Sequence, residues 1–265
     1  MANIAIGDIQ GCYDKFLQLL ANISFNKSKD TLYLVGDVVN RGRYSREMLK
    51  WCYKNSDNLR CVIGNHDIYF LARHFGIRSK DHDDTLDDLL QDKDIKKLVD
   101  YVKGWKLLEE CNDSYIIHAG LYPKIEFSLF QYWHEQICQQ LSSNDCINFI
   151  DAIYGNKPNL WCNDLTAIEK MKFIINASTR MRYLNKKDYS LDYQFKCSPQ
   201  DVKNDNILPW FMFDNINNIS KNIVFGHWAS LGYMHYNNCI SIDTGCIWGN
   251  KLTAIDLLSK EIIQV

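Results

Sequence analysis

The sequence lacks the features that would tie it to a membrane or to export. Its longest apolar runs fall well short of the roughly eighteen residues that a transmembrane helix needs. No basic segment followed by a long apolar stretch stands at its start, so we expect no signal peptide and a cytoplasmic location. Only four prolines interrupt the 265 residues, of which 46% are hydrophobic. The chain is therefore apolar enough for one large domain spanning 1–265.

Charge and cysteine usage exclude further classes of protein. The formal net charge is −2, which argues against a broad nucleic-acid-binding or anionic-membrane surface. Ten cysteines are present, but no two of them form a C-x-x-C pair. This spacing supports neither a disulfide framework nor a zinc finger, so we interpret the cysteines as reduced and largely buried thiols.

Five short apolar runs end in turns that carry polar side chains. The runs are rich in β-branched and aromatic residues, which is typical of buried strands. Ligands of open α/β sheets bind beyond the carboxyl ends of strands, so we expect these turns to meet at one rim. The turns are GDIQG at 7–11, GDVVNRG at 36–42, GNHD at 64–67, HAG at 118–120 and GHW at 226–228.

The polar side chains of these turns are the ligand types of a site for two divalent metal ions. Carboxylate and amide oxygens suit hard cations, and imidazole is accepted by manganese, cobalt, iron and zinc. We expect Asp37 to bridge two ions, with Asp8 and Gln10 completing one site. The other site is predicted to comprise Asn65, His118 and His227. Such a pair of ions would hold a hydroxide and neutralise the charge of an attacked phosphoryl group.

Two further side chains in these turns have catalytic chemistry. His66 follows Asn65 directly and cannot easily bind the same metal, so it is better placed as a general acid. Arg41 follows Asp37 closely enough to clamp phosphate oxygens with its planar guanidinium. A single Gly-Asp turn is usually only a turn, and an isolated histidine such as His134 is more often a packing residue. The ordered set of turns, rather than any one residue, carries the prediction.

The surrounding pattern alternates strands with helices, which predicts βαβ units and a layered α/β domain. Ser45 is the expected N-cap of the second helix. Strands are predicted at 3–8, 31–37, 59–64 and 114–118, and helices at 12–22, 45–56 and 68–75. The acidic stretch 80–104 has apolar residues at helical spacing and no EF-hand glycine, so we interpret it as two surface helices.

Beyond Pro123 the pattern changes. Helical and irregular segments with many polar residues predict an α-rich insertion over about 123–220, lying near the rim. Strands are expected again at 222–226, 238–243, 251–257 and 261–265, in a run suited to antiparallel pairing.

The five turns resemble the signature of the phosphoprotein-phosphatase-like group of the metallophosphoesterase superfamily. That group carries GDxHG, GDxxDRG, GNHE or GNHD, HAG and GH, in this order. The resemblance implies a β-sandwich flanked by helices, with the α-rich insertion over the active-site rim. Two positions depart from the pattern, because Gln10 stands in place of a histidine and Asn40 in place of the second aspartate.

Both departures bear on the chemistry. Gln10 could give an amide oxygen to the first ion or hydrogen-bond a bound water, and either role makes that metal site weaker. In the protein phosphatases the aspartate keeps the acid histidine protonated, which helps to expel a basic alkoxide. Asn40 gives His66 less help, and a less basic phosphate leaving group tolerates that loss. The substitution therefore points to phosphoanhydride cleavage.

Four further segments resemble the symmetrical diadenosine tetraphosphatase family within that group. They are DAIYGNKPNLW at 151–161, NASTRMR at 176–182, FGHWASL at 225–231 and DTGCIWG at 243–249. The resemblance implies hydrolysis of a small dinucleoside polyphosphate, diadenosine tetraphosphate, to two ADP, with two divalent ions such as Mn²⁺ or Co²⁺. The same chemistry could remove a nucleoside-tetraphosphate cap from the 5′ end of RNA, and the sequence does not rank the two roles.

Four phosphates need cationic partners beyond the metals, and Arg41, Arg180 and Arg182 are the candidates. Either Arg180 or Arg182 could instead be a surface residue or part of an internal salt bridge. Because these two cannot share one helical face, we expect one to grip phosphate more directly, and we favour Arg182. Asn40 is expected among the residues that face the substrate.

Aromatic side chains near the insertion could stack on adenine or simply pack in the core. They are Tyr154, Trp161, Trp228 and Trp248. Asp243 could likewise orient His227 or serve only as a turn residue.

Two other functions stay open. A phosphoserine/threonine protein phosphatase is disfavoured by Asn40 and by the four segments just named. A nucleotide-binding sensor without catalysis is supported only by Gln10 and Asn40, whereas His66 and the other ligand candidates are retained. The sequence leaves the oligomeric state open.

Overall fold

The first part of the chain alternates strands and helices, as its apolar pattern predicts. In the computed structural model, which describes residues 2–265, short buried strands pair in parallel and are connected by helices. These elements are β1 (Asn3–Ile6), α1 (Tyr13–Asn22), β2 (Thr31–Leu34), α2 (Ser45–Lys54), β3 (Leu59–Cys61) and α3 (Asn65–His74).

Two helix starts differ from the sequence prediction. Ser45 is the first residue of α2 rather than its N-cap, which is Tyr44. The Ser45 hydroxyl instead accepts a hydrogen bond from the backbone N–H of Asn40 at 2.8 Å. Helix α3 begins three residues earlier than predicted, at Asn65, and Gly64 in extended conformation is its N-cap. Two of the site candidates, Asn65 and His66, therefore lie in a first helical turn.

The acidic stretch folds into α4 (Asp87–Leu90), a single turn, and α5 (Ile95–Lys103). A strand that the sequence pattern did not predict follows, β4 (Leu108–Cys111), and pairs antiparallel with β5 (Ser114–Ile117). Two consecutive glutamates in β4 break the expected alternation, and this explains why its pattern was not recognised.

The segment after Pro123 contains three helices and a small sheet. The helices are α6 (Phe127–Ser142), α7 (Cys146–Ile153) and α8 (Ala167–Arg180). The sheet consists of β6 (Tyr183–Asn185), β7 (Leu191–Asp192) and β8 (Ile207–Pro209), paired antiparallel around β6. The sequence pattern predicts only helices and irregular segments here, because strands of two or three residues are too short to show an alternating pattern.

The last five strands are β9 (Asn222–Phe225), β10 (Met234–Tyr236), β11 (Cys239–Ser241), β12 (Thr253–Asp256) and β13 (Ile262–Gln264). The predicted antiparallel pairing is confirmed for β12, which lies between β1 and β13. The prediction is wrong for β9, which pairs in parallel with both β5 and β11. The chain reaches β11 from β9 through 226–238, a connection long enough to return to the same end of the sheet.

The strands outside the small sheet form two five-stranded sheets that pack face to face. Their orders are β13-β12-β1-β2-β3 and β10-β11-β9-β5-β4. Side chains alternate across each strand: Ala5 lies in the core between the sheets, whereas Ile4 and Ile6 on either side of it pack in the larger core that includes the helices. The predicted β-sandwich flanked by helices is confirmed. Within residues 2–265, no helix combines the length and apolar content needed to cross a membrane.

Candidate metal centre and phosphate-binding cavity

Three of the predicted metal ligands meet at the rim of the two sheets. Asp37 follows β2 in the first sheet, whereas His118 and His227 follow β5 and β9 in the second. One ligand atom from each residue lies within 4.8 Å of the others. Residues from distant parts of the sequence therefore form one cluster because both sheets end at the same rim.

The Asp37 carboxylate lies at the centre of this cluster. Its Oδ1 accepts a hydrogen bond from the backbone N–H of His66 at 2.8 Å and lies 3.4 Å from His118 Nε2. Gly64 makes this position possible, because a Cβ there would lie 2.2 Å from the same carboxylate oxygen. The carboxylate is buried, so its orientation is fixed by the backbone rather than by solvent.

Gln10 contacts Asp37 in a way that bears on its two predicted roles. The Gln10 Nε2 group donates a hydrogen bond to Asp37 Oδ2 at 3.2 Å. In this arrangement the amide nitrogen, and not the oxygen, faces the central carboxylate. Direct coordination through the Gln10 oxygen would require the amide to turn over.

Asp8 and Asp243 add negative charge beside Asp37. Both Asp8 oxygens accept from the backbone N–H of His227, at 3.1 and 3.2 Å. Burial raises the pKa of Asp8 well above its usual value, and the neighbouring Asp243 and Asp37 carboxylates raise it further. Burial likewise raises the pKa of Asp243 to about 7. Asp243 accepts from the N–H of Gly245 at 3.0 Å, which favours its interpretation as a turn residue over that of a partner for His227.

The two candidate histidine ligands, His118 and His227, have environments that favour the neutral ring. Burial lowers the pKa of His118 and lowers that of His227 further. His118 Nδ1 lies 2.7 Å from the carbonyl of Val35, to which it donates, and its Nε2 then carries a lone pair on the Asp37 side. His227 Nε2 is buried without a hydrogen-bond partner among the described residues.

These observations fit divalent metal ions. Buried carboxylates with raised pKa values stay ionised only when a positive charge lies beside them. Neutral imidazoles with free lone pairs can bind metal ions. The side-chain nitrogen of Asn65 donates to His227 Nδ1 at 2.9 Å and to the carbonyl of Thr179 at 3.0 Å, so coordination through the Asn65 oxygen would require the amide to turn over, as at Gln10. The donor set of carboxylate, amide and imidazole matches Mn²⁺, Co²⁺, Fe²⁺ or Zn²⁺.

Asp67, the last residue of the GNHD turn at 64–67, supports this site through hydrogen bonds, a role that the sequence pattern alone does not predict. Its buried carboxylate accepts from the backbone N–H groups of Asp37 at 2.8 Å, Val38 at 3.0 Å and Gly64 at 2.9 Å. One side chain in the first turn of α3 thereby fixes the turn that follows β2. The signal in the sequence was its place directly after Asn65 and His66.

His66 and Asn40 form a hydrogen-bonded pair beside the cluster. Asn40 Nδ2 lies 3.0 Å from His66 Nδ1. The Asn40 oxygen accepts from the N–H groups of Arg41 at 2.8 Å and Thr85 at 3.3 Å, so the amide cannot turn over without facing two donors. Asn40 therefore donates to Nδ1, and neutral His66 carries its proton on Nε2. Burial lowers the pKa of His66, the nearby Arg41 lowers it too, and Asp37 opposes them.

The three predicted phosphate-binding arginines line one cavity together with some of the predicted metal ligands. This cavity, of about 780 Å³, is lined by Arg41, Arg180, Arg182, Gln10, Asp37 and His227, and we call it the phosphate cavity. Arg182 Nη2 donates to the carbonyl of His227 at 2.8 Å, which fixes it close to the metal cluster. Arg180 donates to Asn176 Oδ1 at 3.1 Å and lies over the ring of Tyr193 at 4.8 Å. Arg41 pairs with Asp83 at 2.9 Å.

The aromatic candidates separate into two groups. Trp248 lines the phosphate cavity and is 70% exposed, so its ring is free to stack on a base. Trp228 is buried, and its Nε1 donates to the carbonyl of Cys197 at 3.1 Å. The expectation that Trp228 could stack on adenine is therefore wrong for this structure, because its ring packs in the core. Trp161 packs against Phe173 at 5.7 Å, and Tyr154 lines a second cavity.

Comparison with known proteins agrees with this geometry. The sequence profile of the calcineurin-like phosphoesterase family matches residues 3–230. The chain belongs to this family. Among curated relatives, it is similar to proteins named symmetrical bis(5′-nucleosyl)-tetraphosphatase from Neisseria meningitidis, at 38% identity, and from Chromobacterium violaceum, at 39%. Each match covers 100% of this chain and 95% of the relative.

A solved structure provisionally described as a diadenosine tetraphosphatase shares the fold of this phosphoesterase, with a TM-score of 0.64 and 21% identity. The match covers 99% of this chain and 92% of the other. The family membership predicted from the five turns and the four segments is thus confirmed. Calcineurin-like phosphoesterases use divalent metal ions, and the Asp37, His118 and His227 cluster can hold such an ion.

Proposed function

We propose that this phosphoesterase hydrolyses diadenosine tetraphosphate at its central anhydride to give two ADP. The observation that carries the proposal is that two members of the metal cluster, Asp37 and His227, face one cavity together with His66 and three arginines. The full-length relatives named symmetrical bis(5′-nucleosyl)-tetraphosphatase support the choice of substrate.

Two divalent ions, Mn²⁺ or Co²⁺, would be held by the clustered ligands. Asp37 would bridge them, Asp8 and Gln10 would complete one site, and the other would use Asn65, His118 and His227. When bound, such ions lower the pKa of a bound water and neutralise the charge of an attacked phosphoryl group. The side chains of this centre hold the ligand oxygens and nitrogens in place for that chemistry.

His66 offers its Nε2–H to the departing nucleotide. Water adds to one phosphorus of the central anhydride and releases one proton to solvent, and the bridging P–O bond breaks. The departing ADP oxygen leaves as an anion that accepts a hydrogen bond from His66 Nε2–H. Asn40 keeps that proton on Nε2 by donating to Nδ1. A neutral imidazole is too weak an acid to give up this proton, but a phosphate leaves as a stable anion and needs only the hydrogen bond, whereas an alkoxide must be protonated as it leaves. This difference disfavours a protein phosphatase.

The cationic side chains bind and orient the four phosphates. Arg182, tied to the backbone of His227, lies where it can contact the phosphoryl group under attack, and Arg41 and Arg180 extend the positive surface of the same cavity. Guanidinium groups bind phosphate oxygens in pairs, which fixes the orientation of the chain. Trp248 offers its exposed ring to one of the bases.

Product analysis tests this function. The purified protein is stripped of metal with a chelator, supplied with Mn²⁺ and incubated with diadenosine tetraphosphate, and the nucleotides are separated by chromatography. We expect ADP as the sole nucleotide product and no turnover without metal. AMP with ATP would contradict symmetrical cleavage, and activity only on a phosphopeptide would favour a protein phosphatase.

Two parallel reactions complete the test. The variant His66→Ala should lose turnover while it still binds Mn²⁺ and nucleotide, since His66 stabilises the departing oxygen and is not a ligand. RNA with a nucleoside-tetraphosphate cap serves as a second substrate, because it contains the same type of bond. A cytoplasmic location stays a prediction, which fractionation of the source cells checks.

A further inference from the structure

A second cavity lies against the phosphate cavity and has a different lining. Its volume is about 300 Å³, at the small end of the range for small-molecule sites. Ile68, Tyr69, Ile153 and Ile175 are buried and contribute apolar walls, and Tyr154 contributes an aromatic ring. Polar side chains, among them Arg78 and Asp81, complete the lining. We call it the apolar cavity after its apolar walls. Nothing in the phosphate chemistry derived above uses these side chains.

The two cavities meet at the residues proposed to act on the phosphates. Arg41, His66 and Arg180 line both of them, whereas Asp37 and His227 line only the phosphate cavity. A polyphosphate chain gripped at this junction would thus have one end in each cavity. The charged junction suits phosphates, and the apolar cavity suits an uncharged, largely flat group at the end of the chain.

We propose that the apolar cavity binds the nucleoside at one end of the dinucleotide, with its base against Tyr154. This assignment rests on the proposed function and extends it to the residues that recognise the second nucleoside. The Arg78 guanidinium lies 5.2 Å from the centre of the Tyr154 ring, and both residues line the cavity. Aromatic rings and planar guanidinium groups stack on any base, so the wall is compatible with a purine.

Asn176 connects the nucleoside wall to the phosphate-binding side. It is buried, donates to the carbonyl of Gly155 at 3.0 Å and accepts from Arg180 at 3.1 Å. The loop that follows Tyr154 is thereby held at a fixed distance from an arginine that lines both cavities. A ligand that spans the junction benefits from this rigid spacing because less freedom is lost on binding.

The assignment predicts how the enzyme ranks three substrates with the same four phosphates. Diadenosine tetraphosphate has two nucleosides, adenosine 5′-tetraphosphate has one, and inorganic tetraphosphate has none. If the phosphate cavity takes one nucleoside and the apolar cavity the other, kcat/KM should increase with each nucleoside added. The gain from the second nucleoside then measures the apolar cavity alone.

The deciding variant is Tyr154→Ala. We expect kcat/KM for diadenosine tetraphosphate to fall about tenfold, which is the size of one lost stacking contact. The values for adenosine 5′-tetraphosphate and inorganic tetraphosphate should change little, so the dinucleotide loses its advantage. Ile153→Phe, which fills the cavity and leaves Tyr154 in place, should produce the same selective loss. Tyr132→Ala, an exposed tyrosine on α6 that lines neither cavity, is the matched control.

Other outcomes overturn the assignment. An unchanged kcat/KM for the dinucleotide in both cavity variants would show that the second nucleoside lies elsewhere. An equal loss on all three substrates would show that Tyr154 supports the phosphate site or the fold. A wild-type enzyme that fails to release ADP from the dinucleotide would overturn the proposed function instead, so the two failures are distinguishable.

Discussion

At the scale of single residues, the pair formed by Asn40 and His66 determines where the proton of the imidazole lies. Two backbone N–H groups hold the Asn40 oxygen, so its nitrogen must face His66 Nδ1. An aspartate in the same place could accept from Nδ1–H and favour the doubly protonated ring. The difference between asparagine and aspartate is therefore a difference in acid strength at Nε2.

The variant Asn40→Asp tests this interpretation. The carboxylate should raise the pKa of His66 and strengthen it as an acid, so hydrolysis of an alkyl phosphate such as a phosphoserine peptide should increase about tenfold or more. Hydrolysis of diadenosine tetraphosphate should change much less, because ADP leaves without strong assistance. Steady-state kinetics on both substrates, with Asn40→Ala as control, provide the measurement. No gain on the phosphopeptide would contradict the role given to Asn40.

Residue identity predicted this site better for polar side chains than for aromatic ones. The clustering of Asp37, His118 and His227 was predictable because the ordered set of turns places each of them at the end of a strand. The position of the Trp228 ring was not predictable, since the local sequence around a tryptophan beside a candidate histidine is the same whether the ring faces a ligand or the core. Its burial depends on Tyr183 and Phe211, which come from other segments of the chain.

At the scale of single elements, the first turn of α3 organises the site. Asp67 in this turn binds three backbone N–H groups around β2, and Asn65 and His66 precede it. The helix start thus positions the acid directly and the Asp37 carboxylate through its backbone. Supporting contacts of this kind orient metal ligands and tune their affinity.

The variant Asp67→Asn should weaken metal binding with little change in shape. The amide can offer only one oxygen to the three N–H groups, so at least one buried donor loses its acceptor at a cost of about 1–3 kcal/mol. We expect the affinity for Mn²⁺ to fall about 10–100-fold and the Tm to decrease. Calorimetric titration measures the affinity, and Asp88→Asn at an exposed position of α4 is the control. Unchanged affinity would show that Asp67 does not support the ligands.

Helix α6 contains a second testable element. His134 packs against Phe130 at 6.3 Å, and burial together with nearby Lys106 lowers its pKa to about 4 from an ordinary value of 6.5. The unfolded chain takes up a proton below pH 6.5, whereas folded His134 resists it until about pH 4. This residue therefore destabilises the fold as the pH falls through that interval.

Comparison of wild type with His134→Gln isolates that contribution. Above pH 7 the difference in Tm between the glutamine variant and wild type should be nearly constant. Between pH 6 and pH 4.5 the Tm of the variant should rise relative to that of wild type. Thermal unfolding at these pH values provides the measurement. A difference in Tm that stays constant over the whole range would mean that His134 titrates normally.

The sequence predicted most strands and helices of this protein and much less of their pairing. Strand ends were visible because glycine and polar residues interrupt apolar runs. The parallel pairing of β9 with β5 was not, because its partners are set by connections of many residues and not by local pattern. The same reason explains the unpredicted strands β6, β7 and β8, which are stabilised by contacts with one another.

At the scale of the whole molecule, the candidate metal centre lies where the two sheets meet. Its candidate ligands follow β1, β2, β3, β5 and β9, so a bound pair of ions would connect segments more than two hundred residues apart, such as those of Asp8 and His227. Without an ion, the buried carboxylates repel one another, and burial raises the pKa values of Asp8 and Asp67. Metal binding should therefore contribute to the stability of the entire fold.

Addition of Mn²⁺ to the metal-free protein should raise its Tm, and the increase should be larger at pH 8 than at pH 6. The ions bind deprotonated ligands, and protons compete at Asp8, whose pKa burial raises; protonation of the neighbouring Asp243, whose pKa is about 7, also removes negative charge beside the site. Scanning calorimetry at both pH values tests this expectation. A gain that is equal at the two pH values, or larger at pH 6, would contradict it.

Cleavage in water enriched in the heavy oxygen isotope tests the central claim most directly. If water attacks one phosphorus of the central anhydride, one of the two ADP molecules from each diadenosine tetraphosphate carries a heavy oxygen on its terminal phosphate. Mass spectrometry of the products should thus show labelled and unlabelled ADP in equal amounts, with neither AMP nor ATP. Label in AMP or ATP would contradict symmetrical hydrolysis at this site.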